Sequence, residues 1–520
     1  MKPNYRTLIA IAVLISISAL FHLSTDKVAD SDSFYHITHA KIYAENGLLF
    51  SNFPWVQYSA ISRYQADIWY GFHIFLMPFI YFDDPTIGIK FAGIFLTSLV
   101  LILFFLIIGK LNVRYPLFWA ILLFFSVPDV HWRFLMVRPH ILTFIFSILL
   151  LYFLTKNNRW AILFSALAVS FFHLALSWIV FLIIGAVLIA QAVAKSDVKF
   201  ISAAYAVIGL AIGWLARPNP IGAIKLAYIQ VVQLMVEKLN SVPIKFGAEL
   251  KPGSNWTVLA GEIAPMLIII LLGVLFWRSF VKRNFRSATF SHSAECENVA
   301  MLIASLMLTT IFGLITIFIA RRSIDLFVGF GLVFTALSWS LFRPRLKQLN
   351  IAAMLFLAVL AVNTLYFANI YKNQALSATA LKKSALWLKD NSNNGDIVFN
   401  THWDNFPSLF LWNQKNYYIN GMDPIFEYAF NKSLYWKHYY IDIDGIAIKN
   451  NLGYTCPEAR SKCPDDKLTE IYKVLKQDFR AKYIVAEPKR NPKLKEYLEF
   501  DKRFKKVFEN NNEESVFEIL

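Results

Sequence analysis

Two aspartates and two histidines fall close together in VADSDSFYHITHAK, residues 28–41, directly after an apolar run long enough to enter a membrane. A helix starting after Asp32 would put Asp32 and His36 on one face, four residues apart, with His39 one turn further on and Asp30 just ahead. Carboxylates and imidazoles so placed can hold a divalent cation or move a proton. The same position also suits Asp32 as a helix N-cap, so local spacing leaves both a cap and a site open. A second stretch, VPDVHWRFLMVRPH, offers Asp129 and His131 as an oxygen and a nitrogen for a cation, and Arg133 and Arg138 for phosphate. A solvated turn with interfacial Trp132 and snorkelling arginines has the same composition. In the third, FIARRSIDLF, Arg321 and Arg322 stand at the end of an apolar run, with Asp325 a turn further in. Paired arginines there need an anion, either lipid phosphate or the diphosphate of a lipid-linked donor. Glu249 in KFGAELKPG adds an acid, while His173 and Trp178 read as packing or interface residues.

The elements that must position these groups are membrane helices. Of 520 residues, 57% are hydrophobic, 16% aromatic and only 17% charged, against about a quarter charged in soluble domains. Apolar runs near residues 7–23, 88–108, 116–128, 139–155, 160–173, 175–194, 200–216, 258–277, 298–320, 323–342 and 350–370 predict a polytopic α-helical membrane protein with about eleven transmembrane helices. The first run follows a basic start but lacks a small-x-small cleavage site, so it reads as an uncleaved helix. The stretch IWYGFHIFLMPFIYF (68–82) is short and interrupted by His73 and Pro78; it reads as an interfacial helix on the outer surface. With that stretch on the surface, every second connecting segment carries Lys or Arg, which predicts a cytoplasmic N-terminus and an extracytoplasmic C-terminus. The long outer segments are then 24–87, 217–257 and the tail. The net charge of +16 belongs to this loop distribution and to contact with membrane lipids; no nucleic-acid motif accompanies it.

Residues 1–370 thus form the transmembrane part, and 371–520 a C-terminal extracytoplasmic α/β domain. ATALKKSALWLKD has helical spacing, DIVFN and KYIVAE look like buried strands, and KKVFENNNEESVFEIL like a hairpin. Cys456 and Cys463, in CPEARSKCP, are expected to form a short-loop disulfide in an oxidising compartment, with Cys296 on the other side of the membrane.

Together the clusters and architecture resemble the GT-C superfamily of membrane glycosyltransferases, which draw sugars from polyprenyl- or dolichyl-linked phosphates. DSDSFYH resembles the first-loop acidic motif found also in oligosaccharyltransferase catalytic subunits, with Asp32 at the metal-binding aspartate. PDVH stands at the second acidic motif, with His131 where a carboxylate would be expected. NTHWDNFPSLF is similar to the tryptophan–tryptophan–aspartate signature that reads a protein acceptor; Trp403 and Asp404 match, and His402 replaces the first tryptophan. The resemblance implies transfer of a sugar or oligosaccharide from a lipid-linked donor to a glycan, lipid or protein acceptor. Asp32 and Asp129 would be catalytic, and Asp32, Asp129 and His131 would hold magnesium or manganese. Arg138, Arg321 and Arg322 would grip the donor phosphate, with Asp30, His36, His39, Trp69, His73 and Glu249 as accessories. A protein N-oligosaccharyltransferase is the variant within this class, using Trp403 and Asp404. A transporter or flippase of lipid-linked glycans is the reading from another class. Polar groups gathered at one surface, and not at mid-bilayer, favour chemistry over transport.

Overall fold

A computed structural model describes residues 5–194, 196–284, 293–342, 347–375, 377, 379–443, 471–511 and 513–520. Helices dominate it, as they must where no water is present to satisfy backbone polar groups. Among the described residues, seven helices are long and apolar enough to cross a membrane: Tyr5–Leu23, Pro85–Lys110, Leu174–Val193, Leu259–Arg278, Cys296–Phe318, Arg321–Leu341 and Ile351–Asn373. Two bent pairs raise the number to nine if each counts as one span: Pro116–Phe125 with Pro128–Phe134, bent by 95°, and Phe200–Leu215 with Pro220–Leu239, bent by 107°. The first bend has a local cause. Pro128 bars its predecessor from helical backbone, and Val127 is extended at φ −142°, ψ 127°. Of the eleven apolar runs in the sequence, 139–155 and 160–173 become the shorter helices His140–Lys156 and Arg159–Phe172.

Between the first two long helices lies a folded segment. Its longest element is the helix Asp32–Asn46. The stretch 68–82 forms only the short helix Tyr70–Leu76 and a following turn, Met77–Phe79. Gly71 brings that helix hard against its neighbour, since a Cβ there would lie 2.7 Å from the carbonyl oxygen of Phe171.

The C-terminal part carries a five-stranded sheet of order β2-β1-β3-β5-β4. The strands are β1 (Ile397–Asn400), β2 (Tyr417–Tyr418), β3 (Tyr483–Ala486), β4 (Phe504–Asn510) and β5 (Glu514–Ile519). DIVFN and KYIVAE become β1 and β3, paired in parallel and buried, and the last segment forms the β4–β5 hairpin. Phe399, Ile484, Leu494 and Phe517 make a separate small core beneath the sheet.

The two parts are packed together. Tyr418 donates its backbone N–H to Trp55 O at 2.8 Å, and Gln57 N–H returns a bond to Tyr418 O at 2.8 Å, extending the sheet past β2 with residues of the first folded segment. The Trp55 indole donates to Gln414 O at 2.7 Å. Tyr35 meets the rings of Phe406 and Phe410, both at 6.3 Å. The main hydrophobic core therefore runs without a break from the membrane helices to Phe406, Phe410 and Trp436. Cys456 and Cys463 lie outside the described residues; Cys296 is a free thiol.

Candidate functional site

Asp32 is not the cap that its position suggested. Ser31 holds the N-cap place without a side-chain bond, and Asp32 is the first helical residue. Its carboxylate instead turns to Arg138, 2.6 Å from Nη2. Asp30 takes the same guanidinium in a fork, Nε to Oδ2 at 2.5 Å and Nη2 to Oδ1 at 2.7 Å. Arg138 Nη1 donates to Glu249 Oε1 at 3.1 Å. The loop carrying Arg138 is tied to the Asp32 helix, because Val137 donates its backbone N–H to Ser33 Oγ at 3.2 Å. Around this knot Arg133 donates to Glu249 Oε2 at 2.9 Å and to Asp325 at 3.3 Å, while Arg322 stands 3.8 Å from Glu249.

These groups border a cleft with a cavity volume of about 60 Å³, lined also by His36, Trp69, His140, Gln230, Trp403 and Asp423. Burial pushes the Asp32 carboxyl up to about 7; Arg138 pulls it down, and the neighbouring Asp30 and Glu249 oppose that pull. Burial also raises Asp30. Glu249 goes the other way: burial would raise it, but Arg138, Arg322 and Arg133 together hold it well below the usual carboxylate range. Asp423, pushed up to about 6 by burial, has its Oδ1 buried without a hydrogen-bond partner. The cleft thus holds two arginines, Arg138 and Arg322, carboxylates that retain protons close to neutral pH, and an unsatisfied acceptor.

Behind it lies a chamber of about 170 Å³ that shares His140, Gln230, Leu250 and Arg322 with the cleft. Its walls are largely apolar, with Phe144, Ile179, Leu234, Ile315 and Leu326. His173 and Trp178 face this chamber, and neither ring nitrogen of His173 has a partner.

The expected metal set does not converge. Asp129 accepts from Arg321 Nε at 2.9 Å, and Arg321 Nη2 reaches Glu262 at 2.9 Å, with the Tyr371 hydroxyl 3.1 Å from the same Glu262 oxygen. His131 is buried among Phe21, Phe124 and Phe125, its Nδ1 bonded to Phe124 O at 3.2 Å. Asp129 and His131 sit two apart on the helix Pro128–Phe134, a rotation of about 200° that sends them to opposite faces. Arg321 and Arg322 part in the same way on the 3₁₀ turn Arg321–Ser323: Arg322 borders the cleft and Arg321 joins Asp129. The cleft carboxylates Asp30, Asp32 and Glu249 are each held by arginine, so these residues do not present a ready oxygen cage for magnesium or manganese.

The acceptor signature also divides. Trp403 lines the cleft, whereas Asp404 is at the surface with Arg490, at 3.1 and 3.2 Å. His402 turns inward to a buried bond with Asp442.

Among the residues that the sequence did not single out, three with titratable side chains stand at or behind the cleft: Asp423, His140 and Asp67. Asp423 and His140 line the cleft. Asp67 accepts from His73 Nδ1 at 2.6 Å, and His73 Nε2 meets His36 Nδ1 at 2.8 Å. Asp67 also takes the Tyr43 hydroxyl at 3.1 Å and the Trp69 backbone N–H at 2.8 Å. His39 bonds the Tyr35 hydroxyl at 2.9 Å and stands 4.0 Å from Asp67. Among the described residues, His39, Asp67 and His73 are the one group of three or more potential metal-ligating side chains with converging ligand atoms. An acid just ahead of Trp69 was the only sequence signal for Asp67. No protein-family model matches this chain, and no curated protein matches it.

Proposed function

We propose that this protein is a membrane glycosyltransferase, moving a sugar or oligosaccharide from a polyprenyl (di)phosphate-linked donor to an acceptor at the membrane surface. The observation that carries this reading is the junction of two unlike spaces. A cleft of arginines and carboxylates shares its inner wall with an apolar chamber, Arg322 standing at the join. A lipid-linked donor has the same two halves, a hydrocarbon chain and an anionic sugar phosphate. Arg322 is the arginine less committed to protein carboxylates, and it stabilises the departing phosphate. Arg138, forked against Asp30 and bound to Asp32, organises the acids and does not itself grip the donor. Asp32 orients the attacking acceptor, and Trp403 offers its indole as a platform at the cleft wall.

The reading includes eleven passes, with the first folded segment and the C-terminal sheet on one side. Contacts at the helix ends support this count. Arg138, Arg217 and Lys372 meet Asp30, Asp67 and Ser24, all in or next to the first folded segment. Lys156 meets Glu297, and Ser340 meets Asn112, at the opposite ends. The basic connecting segments then make that opposite side the cytoplasmic one. Trp403 in the cleft favours a second reading within the class, a peptide acceptor for an N-oligosaccharyltransferase.

Reconstitution in proteoliposomes with a radiolabelled polyprenyl-diphosphate sugar tests the proposal. Release of the labelled sugar to an added acceptor, lost in a folded Asp32→Asn protein, is the expected result. Vectorial movement of intact donor across the bilayer without bond cleavage would replace the enzyme with a flippase.

A further inference from the structure

The chain of groups behind the cleft has a direction. Asp67 accepts three hydrogen bonds, from Trp69 N–H, the Tyr43 hydroxyl and His73 Nδ1. An ionised carboxylate only accepts, so His73 must carry hydrogen on Nδ1. Burial works against ionised Asp67, but His73 and His39 together hold its pKa well below the usual carboxylate range. In the tautomer with hydrogen on Nδ1 alone, His73 presents a lone pair at Nε2, and His36 Nδ1, 2.8 Å away, is the donor. That leaves Nε2 of His36 as a bare lone pair, the one ring nitrogen that His36 has to offer the cleft it lines. Burial and the nearby His73 lower the His36 pKa, so the ring is neutral at ordinary pH.

The same residues supply the metal-like group His39, Asp67 and His73, but their bonds argue for a relay. Both nitrogens of His73 are already engaged, and His39 Nδ1 is committed to Tyr35. A cation bound through His73 would break a bond of 2.6 or 2.8 Å.

We propose that His36 Nε2 is the proton acceptor of the cleft, with Asp67 and His73 as positioning residues that fix its tautomer. The proposal rests on the transferase reading. An acceptor oxygen attacks the anomeric carbon with its electron pair, while the bond from that carbon to the phosphate oxygen breaks and its pair leaves with the phosphate. The proton of the acceptor passes to His36 Nε2. The Nδ1 proton of His36 can then move to His73 Nε2, which carries the positive charge inward to ionised Asp67. No net charge stays at the cleft beside Arg138 and Arg322, where it would be repelled.

Diethyl pyrocarbonate, which acylates unprotonated imidazole nitrogen, reads this lone pair without any sugar donor. In the full-length protein in nanodiscs, site-resolved mass spectrometry is expected to find His36 acylated while His39 and His73 stay protected. In Asp67→Asn the amide can donate to His73 Nδ1 and reverse the chain, so acylation of His36 slows several-fold although the protein melts cooperatively. With donor and acceptor supplied, His36→Gln loses sugar transfer by about 100-fold or more. An unreactive His36, or an Asp67→Asn protein reacting at the wild-type rate, overturns the relay whatever the transfer assay gives. One equivalent of tightly bound transition metal, lost in His39→Ala, overturns it in favour of a metal site. Full transfer by His36→Gln removes the proton-accepting role. A wild-type protein whose His36 reacts as expected but which transfers no sugar counts against the transferase reading and leaves the tautomer lock standing.

Discussion

Two arginines organise two acidic knots on the same face of the helical bundle, and only one of them opens onto a cleft. Arg321 is surrounded by Asp129, Glu262 and the Tyr371 hydroxyl, which joins the short helix Pro128–Phe134 to three long apolar helices. Arg138 gathers Asp30, Asp32 and Glu249, and this knot borders a cavity with Asp423 Oδ1 unsatisfied beside it. The residue types are nearly the same. What separates them is access and spare bonding capacity: a group whose partners are all protein is a clasp, and one with room in front of it can act on a ligand. The comparison also explains why charge spacing alone misplaces Asp129, since a clasp and a site draw on the same alphabet.

The largest expected effect comes from Arg138→Ala. It leaves Asp30, Asp32 and Glu249 buried without their shared cation, at a cost of about 3–5 kcal/mol, measurable by chemical denaturation in detergent. Sugar transfer should disappear with it. Next is Asp32→Asn, which should lower transfer by about 100-fold or more in a protein that still unfolds cooperatively. Asp129→Asn breaks the other knot and should act on stability first, by about 1–3 kcal/mol, seen as a lower melting temperature. If it abolished transfer with unchanged melting, the two knots would be one site. A smaller effect is the pH dependence carried by Asp32. Its carboxyl keeps a proton up to about pH 7 when folded, against 3.8 when free. Its contribution to stability is therefore full below 3.8 and is lost as pH rises to about 7, and that part of the slope should vanish in Asp32→Asn melting curves. Smallest is Asp404→Ala, which removes an exposed pair with Arg490 and should cost under about 1 kcal/mol in the same melting assay.

Much of the architecture was legible because it follows from periodicity and solvent. Long apolar runs give helices wherever backbone groups must bond within the segment, and DIVFN and KYIVAE are short, buried and β-branched enough to be strands. The site was only partly legible. Asp32, Asp30, Arg138, Arg322, Glu249, His36 and Trp403 converge as a group of residues at the cleft or its edge. Asp129, His131 and Arg321 do not, because helix and turn geometry point near neighbours apart, a fact that a one-dimensional cluster hides. Asp67 and Asp423 were missed for the opposite reason. Each is a lone acid in its own stretch, and its importance comes from residues distant in the chain.

The backbone bonds between Trp55, Gln57 and Tyr418 have a consequence for how the molecule is made. β2 is only two residues long, and its free edge is taken by a stretch whose side-chain contact with Gln414 spans 359 positions of sequence. A ribosome delivers that stretch early and the sheet last, so the early segment must wait, incompletely paired, until almost the whole chain has been threaded into the bilayer. The pairing therefore joins an early and a late part of the chain, and it covers an edge that a two-residue strand would otherwise leave open.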